Sequence, residues 1–359
     1  MTPSAVLISY RLGDTDGVSI ETEKWERALR TLGFATRRVA GELADDRRND
    51  DVVLPWLAWE STHPPTPADL SAALAGADLV VVENVCSLPL NESAARTVAS
   101  VLAALSDLRV VFHHHDLPWQ RSRFASIADL PPAWPGSLHV TINDRSRREL
   151  AERGIAAHTI RNVFDVDAPP GDRAATRARL GFEADEVVVL QPTRAIPRKK
   201  VGAGIEFTAS LARHVRGRAA RYWLTGPAEE GFAPELDRLL ARATVPVTVG
   251  RVAEVADAYA AADVVAFPSS WEGFGNPVIE SVIARRPIAV ARYPVLDELV
   301  GLGLDLFSID APAAVAAWLA APDPASFDGN LAVVRRHFSA ADLPARLEAV
   351  FTAVGWSWA

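Results

Sequence analysis

Short apolar runs alternate with amphipathic stretches along almost the whole chain, and this alternation limits the fold more than any other feature. Runs rich in Val, Ile and Leu stand at 5–10 (AVLISY), 77–84 (ADLVVVEN), 108–114 (LRVVFHH) and 138–143 (LHVTIN). A second series follows at 186–193 (EVVVLQPT), 221–226 (RYWLTG), 245–251 (VPVTVGR), 262–269 (ADVVAFPS) and 286–292 (RPIAVAR). Most are apolar at successive positions rather than at every second one, as in strands buried on both faces. Stretches such as 19–33 and 91–105 carry helical spacing between them. Two such series predict two doubly wound parallel-sheet α/β domains. A chain of 359 residues, 49% hydrophobic, has material for two cores. The segment RNVFDVDAPPGD at 161–172 holds a Pro-Pro-Gly linker signal. The predicted domains are therefore 1–163 and 164–340, with 341–359 left as a helix that no strand follows.

The charge balance excludes some classes. A net charge of −8 and a pI near 5.6 argue against a nucleic-acid partner, which needs a strong basic face. The single cysteine, Cys86, allows no disulfide framework or Cys-based zinc site and reads as a small buried apolar residue. No apolar run approaches the ~20 residues of a membrane span, and the first residues lack a basic, then apolar, leader. The expectation is a cytoplasmic protein without membrane association.

In open parallel sheets ligands bind beyond the carboxyl ends of strands, so the residues after each run carry the chemistry. After VAFPS comes SWEGFGNPVIE. Pro277 suits a first helical turn, with Asn276 expected as its N-cap. Gly273 and Gly275 let loop amides approach a ligand. Glu272 and Glu280 can both face one crevice, where carboxylates suit vicinal hydroxyls; the plain alternative is a capped helix with two solvated acids. After EVVVLQPT comes RAIPRKKVG. Arg194 and Lys199 or Lys200 stand where cations would neutralise a diphosphate, or form a solvated basic loop. The chain has only three lysines, and two are this adjacent pair.

Together these stretches resemble the retaining glycosyltransferases of the GT-B fold, family 4 (glycosyl transferases group 1). The Glu-x7-Glu segment EGFGNPVIE (272–280) and RAIPRK (194–199) carry the resemblance. LTGP (224–227), VTVGRV (247–252) and AADVVAFPS (261–269) support it in order. It implies two Rossmann-like domains facing a central cleft, with the donor sugar nucleotide in the second. By that analogy Arg194 and Lys199 hold the diphosphate, Glu272 the sugar hydroxyls and Glu280 the ribose. Phe274, Gly275 and Asn276 offer backbone amides, and Gly250, Arg251 and Val252 line the base. Lys200 stands where the family commonly has glycine. The resemblance also implies that the final helix returns to the first domain.

The first domain matches in outline. RLGDTDGVSIE (11–21) fits the family's glycine loop, with Gly13 and Gly17 in place and Ser19 or Thr15 as phosphate or acceptor contacts. The Asp-x-Asp at 14–16 has the wrong context for a metal motif, and the one at 165–167 lies in the linker. HHHDLPWQR (113–121) ends a strand. Neighbouring strand residues alternate faces, so at most two histidines point one way, and no further ligand group is apparent for a metal. His115 resembles the family's sugar-contacting histidine, with His114 as rival and Asp116 on the acceptor side. Trp119 and Trp56 could stack on a sugar, and Glu83 and Asn84 could bind acceptor hydroxyls. The expected activity moves a hexosyl group from a nucleotide-diphosphate sugar to an acceptor hydroxyl, with retention and without a metal or other cofactor. The alternatives are an epimerase or hydrolase of this fold, or a non-catalytic sugar-nucleotide binder. A dinucleotide oxidoreductase is disfavoured, because no Gly-x-Gly-x-x-Gly follows the first strand.

Overall fold

The computed structural model describes residues 2–14, 16–45 and 47–358. The chain divides into two units, Met1–Val163 with Ala340–Ala359, and Phe164–Ser339. The first unit holds β1 (Ser4–Leu12), β2 (Ala35–Leu43), β3 (Val52–Val53), β4 (Leu79–Glu83), β5 (Arg109–His114), β6 (Ser137–Thr141) and β7 (Ala157–Thr159). They form one sheet in the order β3-β2-β1-β4-β5-β6-β7, and every pair is parallel. Val6, Ile8, Val80, Val82 and Phe112 belong to one apolar cluster, and Ala5, Leu7, Leu79, Val81 and Val111 to another. Alternate residues thus feed the cores on opposite faces, which is why these strands read as continuous apolar runs. The second core also takes Leu343, Leu347 and Phe351 from the Leu343–Ala353 helix. That helix packs against the Gly17–Thr31 helix, near Trp25 and Leu29.

The second unit holds β8 (Val187–Gln191), β9 (Ala220–Leu224), β10 (Val247–Val249), β11 (Val264–Phe267), β12 (Ile288–Val290) and β13 (Phe307–Ser308). Their order is β10-β9-β8-β11-β12-β13, again all parallel. Strand order reverses between β8 and β11, where the chain leaves the two neighbouring strands in opposite directions along the sheet. The crevice at such a switch point is where doubly wound sheets bind ligands.

Two local expectations change. The Asn276–Ile283 helix is capped by Gly275, not by Asn276, which is its first residue. Gly275 takes a φ of 106°, and a Cβ there would lie 2.1 Å from the Tyr293 hydroxyl, so only glycine fits this cap. Trp56 is buried in the first unit's core rather than presented to a ligand.

Candidate active site

The loops after β8 and β11 meet through their side chains. Beyond β8 the chain makes a tight turn at Pro197–Lys199, and Gln191 fixes it from below: its amide donates to the Lys199 carbonyl at 2.9 Å. The Tyr222 hydroxyl donates to the other end of that amide at 2.8 Å. Gly204 leaves the space for this arrangement, since a Cβ there would lie 2.2 Å from Gln191 Oε1. So held, Lys199 sends Nζ to Glu272 Oε1 at 2.5 Å, while Arg198 Nη1 reaches Glu272 Oε2 at 3.0 Å. Burial pushes the Lys199 ammonium down to about 8, partly offset by Glu272. Burial alone would raise Glu272, but Lys199 and Arg198 hold it below the usual carboxylate range. Lys200 is exposed and left-handed at a φ of 49°, a conformation glycine adopts most readily. Of the two lysines, only Lys199 turns into this cluster.

Arg194 donates to Glu229 at 2.6 Å, and both side chains are more than a third exposed. Backbone bonds tie the loop after β9 to the loop after β8: Ala195 N–H donates to Pro227, Glu229 N–H to Ala195, and Gly226 N–H to Thr193. Glu280 accepts from the Tyr259 hydroxyl at 2.6 Å, and the Tyr293 hydroxyl donates to the Phe274 carbonyl at 3.1 Å. Gly250, just beyond β10, accepts from the Trp223 indole at 2.9 Å, and Arg251 and Val252 follow it. Arg198, Glu229, Tyr259 and Tyr293 are missed by sequence reasoning. A tyrosine in an apolar run reads as core, and nothing local pairs Glu229 with Arg194.

In the first unit the strand ends carry a buried polar cluster. His113 and His115 point to one side of β5 and meet Glu83 at the end of β4. The expectation that no further ligand group stands near the histidines is therefore wrong. Parallel pairing sets Glu83 beside His113, and their side chains meet with His115. The three donor atoms lie within 4.8 Å of one another, a spacing that a divalent cation could bridge. His114 faces the other way, between the Ser87 hydroxyl at 2.5 Å and His139 at 3.0 Å. It is fully enclosed and cannot act as the rival to His115.

Four further expectations change. Glu83 has no exposed surface, so its carboxylate cannot bind an acceptor hydroxyl. Asn84 spends its side-chain oxygen on the N–H groups of His115 and Asp116. Ser19 is buried and donates its hydroxyl to Asp16 at 2.8 Å. Trp119 is covered by the Arg153 guanidinium at 3.6 Å and donates its indole N–H to Glu149, so that face cannot stack on a sugar. Asp116 accepts from Arg121 at 2.7 Å. Asp16 caps the Gly17–Thr31 helix, which accounts for its carboxylate in the Asp-x-Asp. Gly13, at a φ of 78° against Asp45, is the glycine that the loop requires; a Cβ at Gly17 would meet nothing. Thr15 lies outside the described residues.

Residues 195–327 match the model of the family described as glycosyl transferases group 1, so the match covers both loops of the Lys199–Glu272 cluster. The family match thus falls within the second unit, Phe164–Ser339. Two curated proteins similar to this chain are each named mannosylglucosylglycerate synthase. The one from Petrotoga mobilis is 22% identical over 86% of each chain, and the one from Thermotoga maritima 27% identical over 80% of each. Among solved structures, Anabaena Alr3699/HepE, in complex with UDP and glucose, aligns over 98% of this chain and 100% of its own with a TM-score of 0.73. At 17% identity that likeness shows the fold, which is GT-B: two parallel-sheet α/β domains in one chain. Among the described residues no helix is long and apolar enough to cross a membrane.

Proposed function

We propose that the protein moves a hexosyl group from a nucleoside-diphosphate sugar to an acceptor hydroxyl, with retention of configuration and without a metal. The carrying observation is the meeting of Lys199 and Glu272 at the β8/β11 switch point, with Arg194 on the same loop. A leaving diphosphate gathers negative charge as the glycosidic bond breaks. Preplaced cations and the N-terminus of the Asn276–Ile283 helix supply the stabilisation it needs. In this reading Arg194 and Lys199, rather than Lys200, hold the diphosphate, and both exchange a carboxylate partner for phosphate when donor binds. Glu272 accepts from the sugar hydroxyls and Glu280 from the ribose. Backbone amides of the Phe274–Asn276 turn complete the sugar and phosphate contacts, and Gly250–Val252 line the base. His115 contacts the transferred sugar. The departing phosphate oxygen takes the acceptor's proton on the face the diphosphate leaves, so no protein base is required.

The two relatives named mannosylglucosylglycerate synthase suggest a small polar acceptor, and the proposed acceptor is a soluble hydroxyl compound. Mass spectrometry of the purified protein with nucleoside-diphosphate glucose and mannose donors, with EDTA and a panel of small polyols and sugar acids, tests this. Transfer from one donor, with the product anomer equal to the donor's by NMR, is the expected result. Glu272→Ala, Arg194→Ala and Lys199→Ala should each depress transfer on the order of 10²-fold or more with circular dichroism unchanged. An inverted product or a strict metal requirement overturns the corresponding part, and full activity in all three variants overturns the site.

A further inference from the structure

The cluster at the ends of β4 and β5 is more highly ordered than a single sugar-contacting histidine demands. One oxygen of the fully buried Glu83, Oε2, lies 2.8 Å from His113 Nδ1 and 2.9 Å from His115 Nε2. A carboxylate only accepts, so each imidazole carries a proton on the nitrogen that faces it. Asn84, in the left-handed region at a φ of 62°, accepts from the His115 and Asp116 N–H groups at 3.1 and 3.2 Å. It thereby fixes the backbone that carries the ring. His113 closes the cluster from beside: its ring stacks on Trp25 at 4.1 Å and lies 4.4 Å from the His115 ring.

We propose that Glu83 is the positioning residue of His115: it fixes the ring plane and the Nε2–H form, leaving Nδ1 as the ring atom that meets a substrate hydroxyl. The inference rests on the transferase reading for the role of His115, and on the geometry of this unit for everything else. The charged and titratable groups around the ring are Glu83 from β4, His113 from β5, Asp116 from the loop that follows and Glu21 from the Gly17–Thr31 helix. Burial works against a charged His115, but these carboxylates outweigh it and raise its titration, while burial lowers that of His113. In the charged form Nδ1–H donates to a sugar oxygen; in the neutral form Nδ1 can only accept. A divalent cation on the same three atoms fits less well. A metal-bound imidazole normally gives its other N–H to a partner, and His113 Nε2 is buried without one. With Nδ1–H given to Glu83, that nitrogen of a neutral ring is an unused acceptor rather than an unpaired donor.

The test is ¹⁵N-histidine NMR on the whole protein, whose eight histidines make the spectrum tractable, with His115 assigned by His115→Gln. The wild type should show a protonated Nε2 at His115 across its titration. In Glu83→Gln the amide oxygen can still accept from both rings, but the anion is gone and the bonds are no longer charge-assisted. His115 should then titrate at lower pH with its preference for Nε2–H weakened, and kcat should fall on the order of 10²-fold with donor KM little changed. Glu83→Asp should recover part of the loss. A wild-type His115 protonated on Nδ1 alone overturns the proposal without any variant, as does stoichiometric bound metal in the purified protein. So does a Glu83→Gln enzyme that keeps the wild-type pH profile. If the tautomer is as stated but no nucleotide sugar turns over, the positioning stands and the transferase reading falls.

Discussion

Lys199 and Lys200 are adjacent and chemically identical, yet the fold gives them opposite fates. Lys200 takes the left-handed turn and points to water, while Lys199 is buried against Glu272. Its titration near 8 gives a pH prediction. The ammonium is cationic below that pH and neutral above it, so donor kcat/KM should fall as pH rises through about 8. Lys199→Arg stays charged and should move that alkaline limb upward; an unmoved limb assigns it to another group. Stability has its own sign. Between about 8 and the ordinary 10.5 the unfolded chain binds the proton that the folded chain has lost. Lys199 therefore makes stability rise with pH across that window. Lys200→Gly should leave circular dichroism and turnover close to wild type, because glycine accepts that backbone without strain. The candidate residues themselves were legible because Arg-x4-Lys and Glu-x7-Glu are local spacings. Their burial and pairing were not.

Among the elements, the paired loops of the second unit depend on one glycine, Gly226. A Cβ at Gly226 would lie 2.5 Å from the Arg194 Cα and the Thr193 carbonyl, both of them backbone. Gly226→Ala must therefore part the loops that hold Arg194 and Glu229. Donor affinity should weaken while the sheet survives, measured by calorimetric titration with nucleoside diphosphate beside far-UV circular dichroism. The strands read from apolar runs are present, but β2 escaped that reading. Its sequence, ATRRVAGEL, is broken by arginines, and Arg38 is buried because its guanidinium forms two bonds to Asp51, at 3.0 and 2.6 Å, and reaches Asp45. Hydrophobic pattern cannot reveal a strand whose core residue is an ion pair. Arg38→Ala would leave the buried Asp51 carboxylate without its paired guanidinium, retaining only the Arg48 N–H, at a cost of about 3 kcal/mol in urea denaturation.

At the scale of the whole molecule, the last residues of the chain complete the first unit. Leu347 has no exposed surface and packs in the core that holds Trp25 and Leu29. Leu347→Ala should cost about 2–5 kcal/mol by the same measurement, and a value near zero would deny the segment its place in that core. Ligand binding offers a global readout of the proposed donor site. Nucleoside diphosphate at a hundred times its Kd should add about 2.7 kcal/mol of stability, read as a rise in Tm that EDTA leaves unchanged. Loss of the rise on chelation would place a metal in the donor complex.

The sequence by itself determined the class of fold and the strand ends that carry chemistry, because apolar runs, turn residues and short motif spacings act over a few residues. It did not determine partners. Glu272 meets Lys199 across 73 positions only because β11 lies beside β8, and Glu83 meets two histidines only because β4 and β5 pair in parallel with Glu83 opposite His113. Strand order and register are properties of the assembled sheet. They decided that Glu83 and Asn84 support His115 instead of binding an acceptor, that His114 faces away, and that Trp119 is already covered. A buried charge must find its counter-charge wherever the sheet brings one, and that choice is made in three dimensions.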